Sequence, residues 1–330
     1  MTLETFKKHH QILAEKSLSL WSDVPSKATI SLLNIAENMT YLVEAKSGYK
    51  AILRIHREHY HSEDEIYSEL MWMEALKTDT CLKIPAIYKG RNGRLVQSNQ
   101  IEALETSRFM VLFQFIEGQQ PTQNNIPSFE ALGKITAMTH AHSQNWQKPT
   151  NFRRKRWDLD TILGPNAIWG NWRDAPGVDA SIMSILEEVE RVIKKRLNAF
   201  GYGGERFGLI HADTRLANLL VNDDQTHLID FDDCGFGWYM YDFATSVSFM
   251  EDDTRLEQLK QSWINGYRTI KDLPNEDIMQ IDSLIILRRL ALLAWIGSRF
   301  KEATEAQAFA DAFAKNSASL AKIYLNVKYP

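Results

Sequence analysis

The chain has 330 residues, a formal net charge of −4 and a pI near 6.2, which gives no electrostatic ground for a nucleic-acid or anionic-membrane partner. Two cysteines, Cys81 and Cys234, are too few for a disulfide framework or a cysteine metal cluster, which fits a reducing cytoplasm. The start, Met1 to Lys8, has no apolar centre, and the longest apolar stretch, Leu290 to Ile296, is far short of a membrane span, so neither a secretory signal nor a membrane partner is expected.

Leu3, Phe6, Ile12 and Leu13 recur at helical spacing and predict a helix over 3–16. The period then changes to two. Strands are predicted at Thr29 to Ile35, Thr40 to Ala45 and Tyr49 to Ile55, with a tight hairpin at Lys46-Ser47-Gly48. Ser62-Glu63-Asp64-Glu65 reads as a capping box that opens a helix through Ile66, Leu70, Met73 and Leu76. Ile84-Pro85 ends that region, and 86–97 and 109–116 read as two more strands. Residues 20–115 are thus expected to form a small mixed sheet with one helix. The polar, turn-rich stretch Glu117 to Pro121 divides the chain into 1–116 and 117–330. Beyond it the pattern is mainly helical, at 128–143, 181–199, 284–300 and 303–324. A chain too long for one comfortable core therefore reads as α+β, with a small sheet-containing N-lobe and a mainly helical C-lobe.

The chemistry concentrates in 211–230, which contains His211-Ala212-Asp213-Thr214-Arg215-Leu216-Ala217-Asn218 and ends on Ile229-Asp230. A loop carrying Asp213 and Asn218, then a strand, a polar turn and a second strand delivering Asp230, is the order that kinase-type phosphoryl transfer uses. Asp213 is the candidate general base for an acceptor hydroxyl. Asn218, through its amide oxygen, and Asp230 are candidate ligands of Mg²⁺, which takes hard oxygen donors. His211 is expected to be structural, bonding backbone near Asp230.

Arg54, in Ala51-Ile52-Leu53-Arg54, stands where a kinase carries the lysine of its third strand. It keeps the charge and adds a bidentate fork for nucleotide phosphates. Glu69 on the following helix is the best partner for it, with Glu65 and Glu74 as alternatives. The candidate phosphate loop, Ala36-Glu37-Asn38-Met39-Thr40, has no glycine. Asn38 and Thr40 are its candidate phosphate contacts, and an ordinary hairpin turn is the other reading.

Together these residues resemble the aminoglycoside phosphotransferase and choline kinase-like superfamily, over about 25–300 of the chain. The resemblance implies a two-lobed, protein-kinase-like fold, with ATP held near Gln114 to Gly118, so that Gln114 and Ile116 join the nucleotide-binding set. The family's His-Gly-Asp-x-x-x-x-Asn matches His211, Asp213 and Asn218, and its metal-binding aspartate matches Asp230. A further aspartate matches Asp242, which would tie the loop after the metal site to a helix start. Ala212 replaces the usual glycine, so its backbone is expected to avoid left-handed φ values.

An acceptor hydroxyl on a small molecule is favoured because only a short segment separates Asp230 from Asp242, without the Ala-Pro-Glu that closes a protein kinase's activation segment. Asp232 and Asp233 with Trp157, Trp169, Trp172 and Trp238 would suit the amine of an amino alcohol, hydroxy amino acid or aminoglycoside, or the tryptophans simply fill core. Arg153-Arg154-Lys155-Arg156 is either a solvated face or an anion contact. Arg288 and Arg289 either reach a buried acid such as Asp242 or point into the substrate cleft. The alternatives to a small-molecule kinase are a Ser/Thr protein kinase of the stress-response type and a nucleotide-binding non-enzyme. The oligomeric state stays open.

Overall fold

The computed structural model describes residues 3–122, 126–222, 225–300 and 304–327. They fall into two units, one of residues 1–118 with 148–153 and one of 119–147 with 154–330. No composition signal foretells the return of 148–153 to the first unit. There the backbone N–H of Arg153 donates to Ser68 Oγ at 2.8 Å.

The first unit holds α1 (Leu3–Ser17), β1 (Thr29–Ile35), β2 (Met39–Glu44), β3 (Lys50–Ile55), α2 (Glu63–Asp79), β4 (Ile87–Tyr88), β5 (Gln97–Asn99) and β6 (Arg108–Gln114). The strand order is β1-β2-β3-β6-β4, with β5 also on β6. Every pair in this sheet is antiparallel, which corrects the expected mixed sheet. The one helical crossover, α2, returns the chain to the far side of β6 instead of beside β3, so no parallel pair arises. The stretch 86–97 is likewise not one strand. A turn closed by Gly93 N–H to Gly90 O at 2.8 Å, with Gly93 at φ 78°, splits it into β4 and β5.

Alternation sorts the two faces of this sheet. Met39, Tyr41, Val43, Ala51, Leu53, Ile55, Met110 and Leu112 share one core with Leu13, Ala14 and Trp21. The intervening residues of β3 face the other way, which sets Arg54 beside Thr40 of β2 and Val111 of β6. The hairpin between β2 and β3 turns at Gly48, with φ 86°, as its glycine requires. The Ser62 capping box at the start of α2 is complete.

The second unit holds α3 (Ile126–Asn145), β7 (Arg156–Trp157), α4 (Leu159–Leu163), α5 (Ala180–Phe200), β8 (Phe207–Ile210), β9 (Leu219–Asn222), β10 (Gln225–Leu228), β11 (Gly235–Trp238), α6 (Tyr241–Ser246), α7 (Leu256–Arg268), α8 (Asn275–Ile278), α9 (Ile281–Arg299) and α10 (Thr304–Asn326). The sheet β7-β11-β8 was not anticipated, nor was α7. Packing of α3 on α7 needs two glycines. A Cβ on Gly133 would lie 2.0 Å from the Trp263 carbonyl oxygen, and one on Gly266 would lie 1.9 Å from that of Glu130. Helix α9 is buried from Ile281 through Ile296 except at Asp282. No helix among the described residues is long and apolar enough to cross a membrane.

Antiparallel pairing of β8 with β11 places Ile210 opposite Gly235. The loops that leave β8 and enter β11, at 211–218 and 229–234, therefore emerge at one end of the sheet.

Candidate active site

Asp213 is buried, at 7% exposure, and both its carboxylate oxygens are engaged. Asn218 Nδ2 donates to Oδ2 at 2.7 Å and to the Asp213 carbonyl at 2.8 Å. Arg288 Nη2 donates to Oδ1 at 3.1 Å, and Arg215 Nε lies 3.3 Å from the same oxygen. Burial pushes this carboxyl up, but the charges of Arg215 and Arg288, with neighbouring His211 and the Asn218 hydrogen bond, together hold it below the usual aspartate range. It therefore stays ionised at neutral pH and can accept a hydrogen bond from a hydroxyl.

Asn218 spends its amide nitrogen on Asp213, which turns its amide oxygen away and suits that oxygen to a metal. Its main-chain carbonyl accepts from Ile229 N–H at 3.0 Å, a bond that couples the turn carrying Asn218 to the residue before Asp230. Asp230 is exposed and left-handed at φ 60°, two residues beyond the end of β10. Aspartate tolerates that conformation better than most side chains. Among the described residues no group of three or more His, Cys, Asp or Glu gathers to hold a metal. Two protein oxygens completed by substrate phosphates are the normal Mg²⁺ arrangement in phosphoryl transfer, and this donor set fits it.

His211 is fully buried. Its Nδ1 accepts from Asp213 N–H at 3.3 Å, so the proton sits on Nε2, which lies 3.2 Å from the Ile229 carbonyl. That is the expected bracing of backbone next to Asp230. Asp242 also braces, but at a different place from the one expected. Its Oδ1 accepts from Ala212 N–H at 2.7 Å, and its Oδ2 accepts from His211 N–H at 3.2 Å and lies 2.9 Å from His140 Nε2. It thus ties α6 to the loop before Asp213, not to the segment after Asp230. Ala212 adopts φ 62°. The expectation that an alanine would avoid a left-handed φ is therefore wrong: the pull of the buried Asp242 carboxylate on two successive amides outweighs the cost of the Cβ.

The four tryptophans are all buried, which favours core over an open aromatic wall. Trp157 Nε1 donates to the Asp233 carbonyl at 2.7 Å, Trp172 Nε1 to Glu190 at 2.8 Å and Trp238 Nε1 to the Gly201 carbonyl at 2.8 Å. Trp169 packs on Trp157 at 5.0 Å and under the Arg288 guanidinium at 5.1 Å. The basic run is no uniform patch. Arg154 is buried and donates to the carbonyls of Asp232 and Cys234, so it straps the segment after Asp230. Of the two arginines on α9, Arg288 reaches Asp213, not Asp242. Arg289 pairs with buried Glu251 at 2.5 Å and lies 3.5 Å over the Phe313 ring. Arg288 and Arg154 are the residues that sequence reasoning left undecided. Each acts across more than seventy positions, which no local period reveals.

In the first unit, Arg54 Nη2 donates to both oxygens of Glu69, at 2.8 and 2.7 Å. Glu69 is wholly buried, whereas Glu74 is exposed and Glu65 completes the Ser62 cap. The ring of Phe113 underlies Arg54 at 4.9 Å. Asn38 sits in a three-residue turn closed by Ala36 N–H to Asn38 O at 3.1 Å, and its Oδ1 accepts from Arg57 N–H at 3.2 Å. The neighbouring Glu37 lies 3.6 Å from Arg57. Thr40 is half-buried on β2 opposite Arg54. Gln114 ends β6, exposed, with its N–H donating to the Ala86 carbonyl at 2.8 Å, and Ile116 follows half-buried.

The sequence model of the phosphotransferase enzyme family, APH, matches residues 29–273. The solved structure of a microcompartment-associated aminopropanol kinase is 42% identical, with a TM-score of 0.87, covering 94% of this chain and 96% of that one. The amicoumacin kinase of Bacillus subtilis is 22% identical over 287 residues, covering 83% of this chain and 82% of its own. The structure of amicoumacin kinase hAmiN in complex with AMP-PNP, Ca²⁺ and Ami shares the fold, at 18% identity and a TM-score of 0.75 over 96% of each chain.

Proposed function

The chain belongs to the phosphotransferase enzyme family, and on that premise we propose that it moves the γ-phosphoryl group of ATP, with Mg²⁺, to the hydroxyl of a small amino alcohol. The observation that carries this reading is the state of Asp213. It is a buried carboxylate held at both oxygens, on a loop whose asparagine spends its amide nitrogen on that carboxylate. The acceptor class is taken from the aminopropanol kinase, to which this chain is similar along nearly its whole length.

Asp213 orients the acceptor hydroxyl toward the phosphorus and takes its proton late, because the transition state is loose and positioning dominates. Asn218 and Asp230 would hold Mg²⁺, which when bound neutralises charge on the nucleotide phosphates. Arg54, kept in place by Glu69, serves the phosphates as a fixed cation. The Thr40 hydroxyl and the Asn38 amide nitrogen assist, since Asn38 Oδ1 is already taken. Gln114 and Ile116 belong to the adenine side. A cytoplasmic location, where ATP and Mg²⁺ are supplied, is part of the same reading.

The test is ADP release with ATP and Mg²⁺ against aminopropanol, ethanolamine, choline, threonine, an aminoglycoside and a generic protein substrate. Release that depends on an amino alcohol, and falls roughly 10²–10⁴-fold in Asp213→Asn, is expected. Release indifferent to every small acceptor, or equal in the variant, overturns the reading.

A further inference from the structure

We propose that Arg288 is a positioning residue for phosphoryl transfer, acting through Asp213 by fixing the rotation of its carboxylate; this rests on the functional reading above. A carboxylate is held against rotation about its Cβ–Cγ bond only when both oxygens are engaged. Asn218 supplies one hold, on Oδ2 at 2.7 Å. The other, on Oδ1 at 3.1 Å, comes from Arg288 on α9, 75 residues away in sequence. Arg215 adds only longer contacts, at 3.3 Å to Oδ1 and 3.4 Å to Oδ2, so an acceptor hydroxyl can still bond a carboxylate of set direction.

Arg288 is itself held. Its side chain is 3% exposed. Its Nε donates to Ser248 Oγ at 2.9 Å, while the Ser248 hydroxyl spends its proton on the Thr245 carbonyl at 2.7 Å and so presents a lone pair to the arginine. Thr245 Oγ1 in turn accepts from Thr214 N–H at 3.1 Å, next to Asp213. The C-terminal end of α6 and the residues just past it therefore anchor both the loop and the arginine that aims its aspartate. Trp169 closes the remaining face of the guanidinium at 5.1 Å. Arg215 touches the same carboxylate from a more open position. Its side chain is 26% exposed, and its Nε contacts are longer, at 3.3 and 3.4 Å. The dual grip on Ser248 and Asp213 needs the rigid fork of a guanidinium, which lysine lacks.

The experiment compares steady-state kinetics of wild type, Arg288→Ala, Arg288→Lys, Asp213→Asn and the double variant Asp213→Asn/Arg288→Ala, using the acceptor that the panel identifies. Arg288→Ala is expected to lower kcat roughly 10²-fold while leaving KM for ATP within about threefold, because a misaimed group costs rate and not nucleotide binding. Guanidinium ion at non-denaturing concentration should recover part of the loss, and Arg288→Lys should lie between. The double variant should be no slower than Asp213→Asn alone, since nothing is left to aim. A kcat in Arg288→Ala within threefold of wild type, or an equal further loss on top of Asp213→Asn, overturns the inference. Should Arg288→Ala fail to fold, Ser248→Ala carries the test: a kcat drop without a KM change is expected, and an unchanged kcat overturns it. A wild-type protein with no acceptor-dependent turnover sinks the functional reading itself. Normal wild-type turnover beside an unimpaired Arg288→Ala sinks this inference alone.

Discussion

At the scale of single residues, strain and buried charge mark the places where stability yields to geometry. Ala212 at φ 62° sits where only glycine is free of a Cβ penalty. Ala212→Gly should therefore raise stability by about 1 kcal/mol, read as an increased unfolding midpoint in urea with an unchanged slope. A lower midpoint would show that the alanine is not strained. The Arg54–Glu69 pair behaves in the opposite way. Both side chains are buried, at 6% and 0% exposure, so Glu69→Ala should cost about 3–5 kcal/mol by leaving a buried guanidinium unpaired. A cost under about 1 kcal/mol would mean that the pair is solvated in practice. The order Asp213, Asn218, Asp230 could be picked out from the chain because all three lie within eighteen positions and each residue type is restricted by its chemistry. The partners that hold and brace them could not. Arg288, Arg154 and Asp242 come from distant elements, and a buried arginine in an apolar helix reads the same whichever acid it meets.

At the scale of elements, close backbone approach carries the packing of the second unit. Gly266→Ala would drive a methyl to 1.9 Å from the Glu130 carbonyl oxygen, forcing α7 away from α3. A loss of about 1–3 kcal/mol is expected, with secondary structure retained by far-UV circular dichroism. No loss would mean that the two helices slide apart without cost. Ser62→Ala should lose about 1 kcal/mol, because Ser62 Oγ accepts the Glu65 N–H and Glu65 returns a bond to the Ser62 N–H. That cap was plain in the sequence, since its four residues carry the motif on their own. So were α1 to α3, α5, α9 and α10, whose apolar spacings run for several turns. The β9–β10 hairpin ahead of Asp230 was also plain, but the sheet β7-β11-β8 of the second unit was not. β7 and β11 have two and four residues, too few for a period to form, and their pairing is set by contacts across the chain. The antiparallel character of the first sheet was hidden for a related reason, because strand order depends on where α2 lands.

At the scale of the whole molecule, two units divide the proposed work. One carries a fixed cation on a sheet. The other carries a buried carboxylate, an asparagine oxygen and a second carboxylate at one end of a small sheet. The division explains why the substrate class was the least legible property. The residues proposed to handle the phosphoryl group sit in short, chemically restricted motifs, whereas an acceptor pocket is assembled from helices and loops whose residue types are unrestricted. If Asn218 and Asp230 hold the metal, chelation of divalent cations should stop transfer and Mg²⁺ should restore it. Asp230→Asn should raise the Mg²⁺ concentration needed for half-maximal rate by roughly tenfold or more, a range usual for altered metal sites. Transfer unaffected by chelation would remove both residues from that role.

The most direct measurement is phosphorus NMR of the reaction of purified protein with ATP, Mg²⁺ and aminopropanol. An amino-alcohol kinase gives one new phosphate monoester resonance, growing in step with ADP and absent in Asp213→Asn. ADP accompanied only by inorganic phosphate, or phosphate carried on protein and never on the amino alcohol, would contradict it.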